Sequence, residues 1–277
     1  MPEPLVEVFA PAKINLSLHV TGQRADGYHL LDSLVVFAGV GDSIAVAPSD
    51  SLSLTIDGPE AAGLAAGPDN LVLRAARFLS PDRGAAIRLT KRLPLASGIG
   101  GGSADAAATL RALSQLWDIP LPEPSATARI GADVPVCLLG RSCRMEGIGD
   151  RLSPTALLPP MEILLVNPRV AVPTGAVFAG LSRKDNPPMP GSPPSDPSAF
   201  AAWLSAQRND LAPPAIACAP EIAETLSALA DLSPIHHAMS GSGATCYALL
   251  PPGQAALARD VIRSTRPDWW CAHAPLL

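Results

Sequence analysis

The stretch PLASGIGGGSADAAATLRAL, Pro94 to Leu113, gathers residue types that hold anions. Gly98, Gly100, Gly101 and Gly102 permit positive φ and let the backbone come close to a ligand. The pattern turns helical at about Ser103, and a helix start offers unpaired N–H groups at the positive end of its dipole. Such a stretch suits an anion, most often a phosphate. In APAKINLSLHV, Lys13 and Asn15 alternate with Ile14, Leu16, Leu18 and Val20, so the two polar side chains share one face of a strand, one pleat apart. That face is either solvated or the floor of a cleft. In RIGADVPVCLLG, Asp133 stands between a glycine and an apolar run, where an unpaired carboxylate is costly to bury. It must be exposed, cap a helix or meet a cation, and capping is the commoner case. Tyr28 and His29 follow the Asp26-Gly27 turn, where they either stack on and hydrogen-bond a base or simply pack.

The elements that must position these residues read as a mixed α+β chain. Strands are expected at Ile14–Val20, Leu34–Phe37, Ser43–Ala47, Leu52–Ile56 and Ala86–Leu93, the last leading into the glycine loop. LVLRAARFL has helical spacing, with Asp69 or Asn70 as its cap. In the helix after the loop, Ala106, Leu110, Leu113 and Trp117 form a core face that ends before Pro120. MEGIGDRL, Met145 to Leu152, suggests a hairpin connection. The proline-flanked gap before Met161 is the expected boundary between domains 1–157 and 158–277. NPPMPGSPPSDP, Asn186 to Pro197, reads as an extended or mobile surface loop. A strand at Met161–Val166, helices at Glu221–Asp231 and Gln254–Ser264, and strands at Ile235–Met239, Ala244–Leu250 and near Trp269 suit a split βαβ sandwich.

Composition narrows the function classes. The chain has 277 residues, 48% of them hydrophobic and 16% charged, and no apolar run reaches the length of a membrane span. The start, MPEPLVEVFAPAK, lacks the apolar core of a secretion signal. Five scattered cysteines without a CxxC pair argue against a disulfide framework or zinc site and fit a reducing cytoplasm. A net charge of −5 gives no basic footprint for nucleic acid. Local positive potential must then come from backbone amides and a few cations, and the only lysines are Lys13, Lys91 and Lys184.

Which phosphate chemistry applies can be narrowed by elimination. A Walker loop needs GxxxxGK[ST], and the chain contains no Gly-Lys pair. A dinucleotide fingerprint needs GxGxxG or GxGxxA early in a βαβ unit, whereas Gly98-x-Gly100-x-x-Ser103 is off-pattern and mid-chain. Four separated segments instead resemble the GHMP kinase superfamily. PLASGIGGGSADAA is similar to its phosphate loop, APAKINL to its first motif and SGSGATCYAL, Ser240 to Leu249, to its third. PAKINLSLHVTGQRADGYHLLDSL, the GADVPV segment, PTGAVF and the Asn209-Asp210-Leu211 triplet resemble the branch that phosphorylates a cytidine diphosphate derivative of methylerythritol, in non-mevalonate isoprenoid synthesis.

The resemblance implies a two-domain α+β fold, ribosomal-S5-domain-2-like at the N-terminus and ferredoxin-like at the C-terminus, with ATP and acceptor meeting between the domains. It implies ATP as phosphoryl donor, with Mg2+, and a small-molecule acceptor. Lys13 and Asp133 are then the catalytic pair: Asp133 orients the acceptor hydroxyl, and Lys13 keeps that carboxylate ionised and offsets developing charge. Asn15 lies near the acceptor, Tyr28 and Phe178 sandwich the cytosine, and His29 reads its edge. Asn70, Leu71 and Val72 lie near adenine. The phosphate loop is entered through Pro94, Leu95, Ala96 and Ser97, turned at Gly98, Ile99 and Gly100, and closed into the helix by Gly101, Gly102, Ser103 and Ala104. Ala104 replaces the second serine of the family pattern, which tells against a two-hydroxyl contact and leaves the backbone cradle intact. The segment Trp117–Gly131 is short for the family, so a helix there is expected to be truncated. A mevalonate- or homoserine-type kinase is the nearest alternative, although those acceptors have no base for DGYH to stack on. A non-catalytic nucleotide- or nucleic-acid-binding module is the alternative of another class.

Overall fold

The structure is a computed structural model and describes residues 6–277; the first five residues of the MPEPLVEVFAPAK start, which was read for a secretion signal, lie outside the described residues. In chain order, β1 (Val6–Asn15), β2 (His19–Gln23), β3 (His29–Pro48) and β4 (Leu52–Asp57) lead to α1 (Leu71–Leu79), β5 (Ala85–Thr90) and α2 (Gly101–Trp117). A 3₁₀ segment at Pro124–Arg129 precedes α3 (Val134–Leu139), β6 (Cys143–Gly147), β7 (Arg151–Pro154) and β8 (Glu162–Asn167). Then come α4 (Thr174–Ala179), α5 (Pro197–Ser205), α6 (Ala212–Cys218), α7 (Glu221–Ala230), β9 (His236–Met239), β10 (Cys246–Leu250), α8 (Ala255–Thr265) and β11 (Trp270–Pro275).

These elements form two compact units. The first takes in the chain up to Ala12, Gly41–Leu95 and Gly100–Gly140; the second takes in Lys13–Val40, Ala96–Ile99 and Arg141–Leu277. In the first, the C-terminal half of β3 pairs antiparallel with β5, and β4 pairs parallel with β5. A parallel pair needs a crossover, supplied by α1, whose buried Val72, Leu73, Ala75 and Ala76 face inward. Asn70, rather than Asp69, caps that helix: its side chain accepts the Val72 N–H at 3.0 Å. Gly41 allows β3 to run against β1, because a side-chain carbon there would collide with the Ala10 carbonyl.

In the second unit the strands are ordered β11-β8-β10-β9, all neighbours antiparallel. With α7 between β8 and β9 and α8 between β10 and β11, this is the expected split βαβ arrangement. Its core holds Leu164, Val166, Ile222, Leu229, Cys246, Ala248 and Ile262. The N-terminal half of β3 pairs with β2 and β6, and β6 with β7 forms the expected hairpin.

Three expectations change. The single strand at 14–20 is two, interrupted at Leu16–Leu18, where the Leu18 N–H donates to Arg208 O (2.9 Å) and the Tyr247 hydroxyl to Leu16 O (2.8 Å). The strands at 34–37 and 43–47 are one continuous β3. The proline-rich stretch is irregular but anchored. Met189 is buried, its N–H donates to Asp32 (2.7 Å), and Arg144, paired bidentately with Asp32, donates to Met189 O (2.8 Å) and Gly191 O (3.0 Å). Arg144→Ala is expected to cost about 2 kcal/mol in chemical denaturation, the scale of hydrogen bonds to a charged group. It should also speed proteolytic cleavage between residues 187 and 193; an unchanged digestion pattern would contradict the anchoring role.

Candidate functional site

The last residues of β1 carry Lys13, 3% exposed, and Asn15, 1% exposed, so neither belongs to a solvated face. Burial is tolerable because both are hydrogen-bonded. Lys13 Nζ donates to Asn15 Oδ1 at 2.9 Å, and Asn15 Nδ2 donates to Ser33 Oγ at 2.7 Å. The same strand is tied to the glycine loop through main-chain groups: the Lys13 N–H donates to Ile99 O at 3.0 Å, and the Asn15 N–H to Ser240 Oγ at 3.1 Å. Ser240 Oγ in turn donates to Gly98 O at 3.0 Å, and the Thr245 N–H to Ser97 O at 3.1 Å.

Residues 97–99 are therefore stitched between β1 and the SGSG turn. Gly98, at φ +75°, cannot be replaced there: a side-chain carbon would lie 2.6 Å from Ser240 O and 2.7 Å from Gly243 O. Ala96 is held at φ +47°, a left-handed conformation that a residue with a side chain adopts at a cost. The Asn209 amide donates to Met239 O (2.8 Å) and Gly241 O (2.9 Å), so this member of the Asn-Asp-Leu triplet braces the SGSG turn.

Elsewhere in this unit the His29 ring stacks on Phe178, with centroids 4.8 Å apart. Burial, helped by the Lys184 charge, holds the His29 imidazole below its usual pKa. The ring is therefore neutral near pH 7, and its buried Nε2 has no hydrogen-bond partner among the described residues. Tyr28 is 59% exposed. A neutral imidazole with one unsatisfied nitrogen, stacked on an aromatic ring, has the chemistry to pair with the hydrogen-bonding edge of a planar base once that buried nitrogen is uncovered.

In the first unit α2 begins at the glycines, two residues earlier than the sequence pattern suggested. Gly100 caps it at φ +65°, and the Ala104 N–H makes the first intrahelical bond, to Gly100 O at 2.8 Å. The N–H groups of Gly101, Gly102 and Ser103 are those a helix start leaves without intrahelical partners, and an anion there also meets the dipole. Gly131 lies close to Ser103 and Leu71: a side-chain carbon on it would be 3.7 Å from Ser103 Oγ and 3.9 Å from Leu71 Cδ1. Asp133 occupies the N-cap position of α3 and is half-buried, yet its side chain makes no cap bond, so capping does not explain it. Asn70 is used as the α1 cap and Val72 is buried, leaving Leu71 partly accessible. Ala104 is buried, so its methyl group faces the core.

Lys13, Asn15, Phe178, His29 and Ser97–Ile99 thus belong to the second unit, and Asn70–Val72, Gly100–Ala104 and Asp133 to the first. One buried cluster, Lys91 with Asp42 and Asp105, was not foreseen. The signals available for it were the rarity of lysine and an aspartate inside the alanine-rich start of α2.

Comparison with known proteins places two family descriptions on the chain: "GHMP kinases N terminal domain" over residues 70–150 and "GHMP kinases C terminal" over residues 194–268. The chain is 63% identical to a protein of Ruegeria pomeroyi named 4-diphosphocytidyl-2-C-methyl-D-erythritol kinase, over 98% of this chain and 99% of that one. A protein of the same name from Cereibacter sphaeroides is 57% identical over 99% of this chain and 100% of its own length. A crystal structure of 4-(cytidine 5'-diphospho)-2C-methyl-D-erythritol kinase superimposes with a TM-score of 0.80 at 33% identity, covering 98% of this chain and 99% of that one. A homoserine kinase from Cytophaga hutchinsonii, 18% identical with a TM-score of 0.66 over 98% of this chain and 97% of its own, shares the fold.

Proposed function

Because this chain belongs to the GHMP kinase family, we propose that it transfers the γ-phosphoryl group of ATP to the 2-hydroxyl of 4-diphosphocytidyl-2-C-methyl-D-erythritol, releasing ADP. The observation that carries this reading is end-to-end identity above one half with relatives of that name. The acceptor is a small molecule of the non-mevalonate isoprenoid route, which suits a protein of the cytoplasm. Among the described residues no helix is long and apolar enough to cross a membrane. On this reading residues 1–157 and 158–277 are the N- and C-terminal kinase domains.

Phosphoryl transfer through a loose transition state needs positioning and charge stabilisation more than covalent help. Residues Pro94–Ala104 hold the triphosphate, with the free N–H groups at the start of α2 as its donors. Magnesium suits a site whose oxygens come mainly from the triphosphate and water; when bound, it offsets charge on the transferring group. Asp133 orients the acceptor hydroxyl and takes up its proton. Lys13, aimed by Asn15, stabilises charge that grows on the transferring oxygens. Asn70, Leu71 and Val72 line the adenine end. Tyr28, His29 and Phe178 receive the cytosine, with Tyr28 moving in from solvent to complete the stack.

ADP release coupled to NADH oxidation, with the product identified by phosphorus NMR as a new monoester on the tertiary carbon, tests the reaction. A monoester elsewhere, or ADP release independent of acceptor, would contradict it. His29→Ala is expected to raise the acceptor KM about tenfold, the scale of one lost base-stacking and edge contact, and to leave the ATP KM within about twofold. A matching rise in the ATP KM would remove His29 from the acceptor site.

A further inference from the structure

Beneath the first turn of α2, Asp42, Lys91 and Asp105 are all buried in one cluster. Lys91 Nζ donates to Asp42 Oδ2 and, at 3.0 Å, to Asp105 Oδ2. The other Asp42 oxygen accepts the N–H groups of Arg92 (2.5 Å) and Leu93 (2.9 Å), on the arm that enters the loop at Pro94. Asp105 lies on the helix that leaves it. A side-chain carbon on Gly101 would be 3.0 Å from Lys91 Nζ, so the ammonium lies directly against the helix start. Both arms of the loop are thus fastened to a single ionic cluster.

The cluster has an odd charge count. Two carboxylates face one ammonium, and Asp105 Oδ1 is buried with no hydrogen-bond partner among the described residues. The packed elements bring little else to it. Arg92 turns its guanidinium to Ser43 Oγ (3.0 Å), and Asp57 of β4, itself exposed, meets Lys91 through its carbonyl. From α1, Arg74 and Arg77 reach Arg129 O and Pro68 O, while the helix faces inward with Val72, Ala75 and Ala76. From α3 come Val134, Val136 and the Cys137 thiol, and Arg111 of α2 donates to Cys137 O and Leu138 O.

We propose that Lys91 and Asp105 are positioning residues for the nucleotide: the cluster sets the shape of the phosphate loop, and ATP binds more tightly when Asp105 carries a proton. This rests on the reading that residues 94–104 hold the triphosphate. Fully ionised, the cluster leaves one negative charge beside a helix start that must receive an anion. With Asp105 protonated the cluster is neutral, and the new O–H can donate to the facing Asp42 carboxylate. Burial pushes the Asp105 carboxyl up to about 7; attraction to Lys91 opposes the rise and the Asp42 charge adds to it. Binding of a polyanion must favour the protonated form, and reciprocity requires that the proton favour the polyanion. ATP binding near neutral pH therefore takes up a proton at Asp105.

The test compares wild type with Asp105→Asn, which keeps the shape and still accepts from Lys91 but cannot ionise. MgATP is titrated calorimetrically at about pH 7 in buffers of different ionisation enthalpy, and the ATP KM is followed from about pH 6 to about pH 8.5. Wild type should take up a measurable fraction of a proton beyond the nucleotide's own titration. Its ATP KM should rise about fivefold more than the variant's over that range, a modest coupling, with kcat following one pH course in both. Identical proton uptake and KM profiles in the two proteins would overturn the proposal and leave Asp105 a structural residue. If the variant does not fold, the wild type decides alone: no proton uptake beyond that of MgATP itself overturns it. Failure of the wild type to bind ATP at all would overturn the loop assignment, and the proposal with it.

Discussion

Replacing Lys13 by methionine, or Asp133 by asparagine, is expected to lower kcat about a hundredfold to ten-thousandfold, the range seen when a positioned acid-base or charge-stabilising group is lost. The ATP dissociation constant should stay within a few-fold of wild type, because neither side chain lies in residues 94–104, the stretch proposed to hold the triphosphate. Lys13 is costly to keep buried, and its ammonium donates to the amide oxygen of Asn15. Asn15→Ala should therefore lower kcat as well, by less than Lys13→Met, since it disturbs the direction of the charge and leaves the charge in place. Steady-state kinetics with saturating ATP separate these effects. Near-wild-type turnover in Lys13→Met or Asp133→Asn would remove that residue from the chemistry.

Lys91→Met should cost stability instead. It removes the cation held between two buried carboxylates, and breaking a buried ion pair by deleting one partner costs about 3–5 kcal/mol. Protonating one carboxylate relieves the repulsion, so the loss should be larger at about pH 8 than at about pH 6 in urea denaturation. Asp105→Asn shows the opposite sign. The folded-state pKa of Asp105 is raised to about 7, so its contribution to stability is complete below the unfolded carboxyl pKa and is lost as pH rises through about 7. The asparagine variant escapes that loss and should gain on wild type as pH rises over the same window. A Lys91→Met protein as stable as wild type at both pH values would show that the cluster is not ionic in the folded chain.

Much of the second unit was readable from local pattern. Apolar runs bounded by turns mark β8, β9, β10 and β11, amphipathic spacing marks α7 and α8, and their order alone suggests the split βαβ sheet. The glycine loop was equally plain, and the α1 cap was narrowed to Asp69 or Asn70, since each depends on neighbours in sequence. Lys13 and Asn15 were not. Alternating polar residues look like a solvated strand face unless Ser33, Ile99 and Ser240 are known to meet them. The break after Asn15 was hidden for the same reason: it depends on Arg208 and Tyr247, far along the chain. Asp133 read as a cap because cap positions favour aspartate, and only side-chain geometry shows that it does not cap. The Asp42–Lys91–Asp105 cluster joins three elements and has no local signature. The proline-rich segment has low local order in its sequence, and its anchorage is written in Asp32 and Arg144.

The most direct test of the account is turnover on three acceptors offered separately at equal concentration to the purified protein with MgATP: 4-diphosphocytidyl-2-C-methyl-D-erythritol, mevalonate and homoserine. Acceptor-dependent ADP release is expected with the cytidine diphosphate compound, at a kcat/KM at least about a thousandfold above either of the others, because the base site proposed at Tyr28, His29 and Phe178 would be left with buried polar groups unpaired when the base is missing. Turnover with mevalonate or homoserine and none with the cytidine diphosphate compound would contradict it.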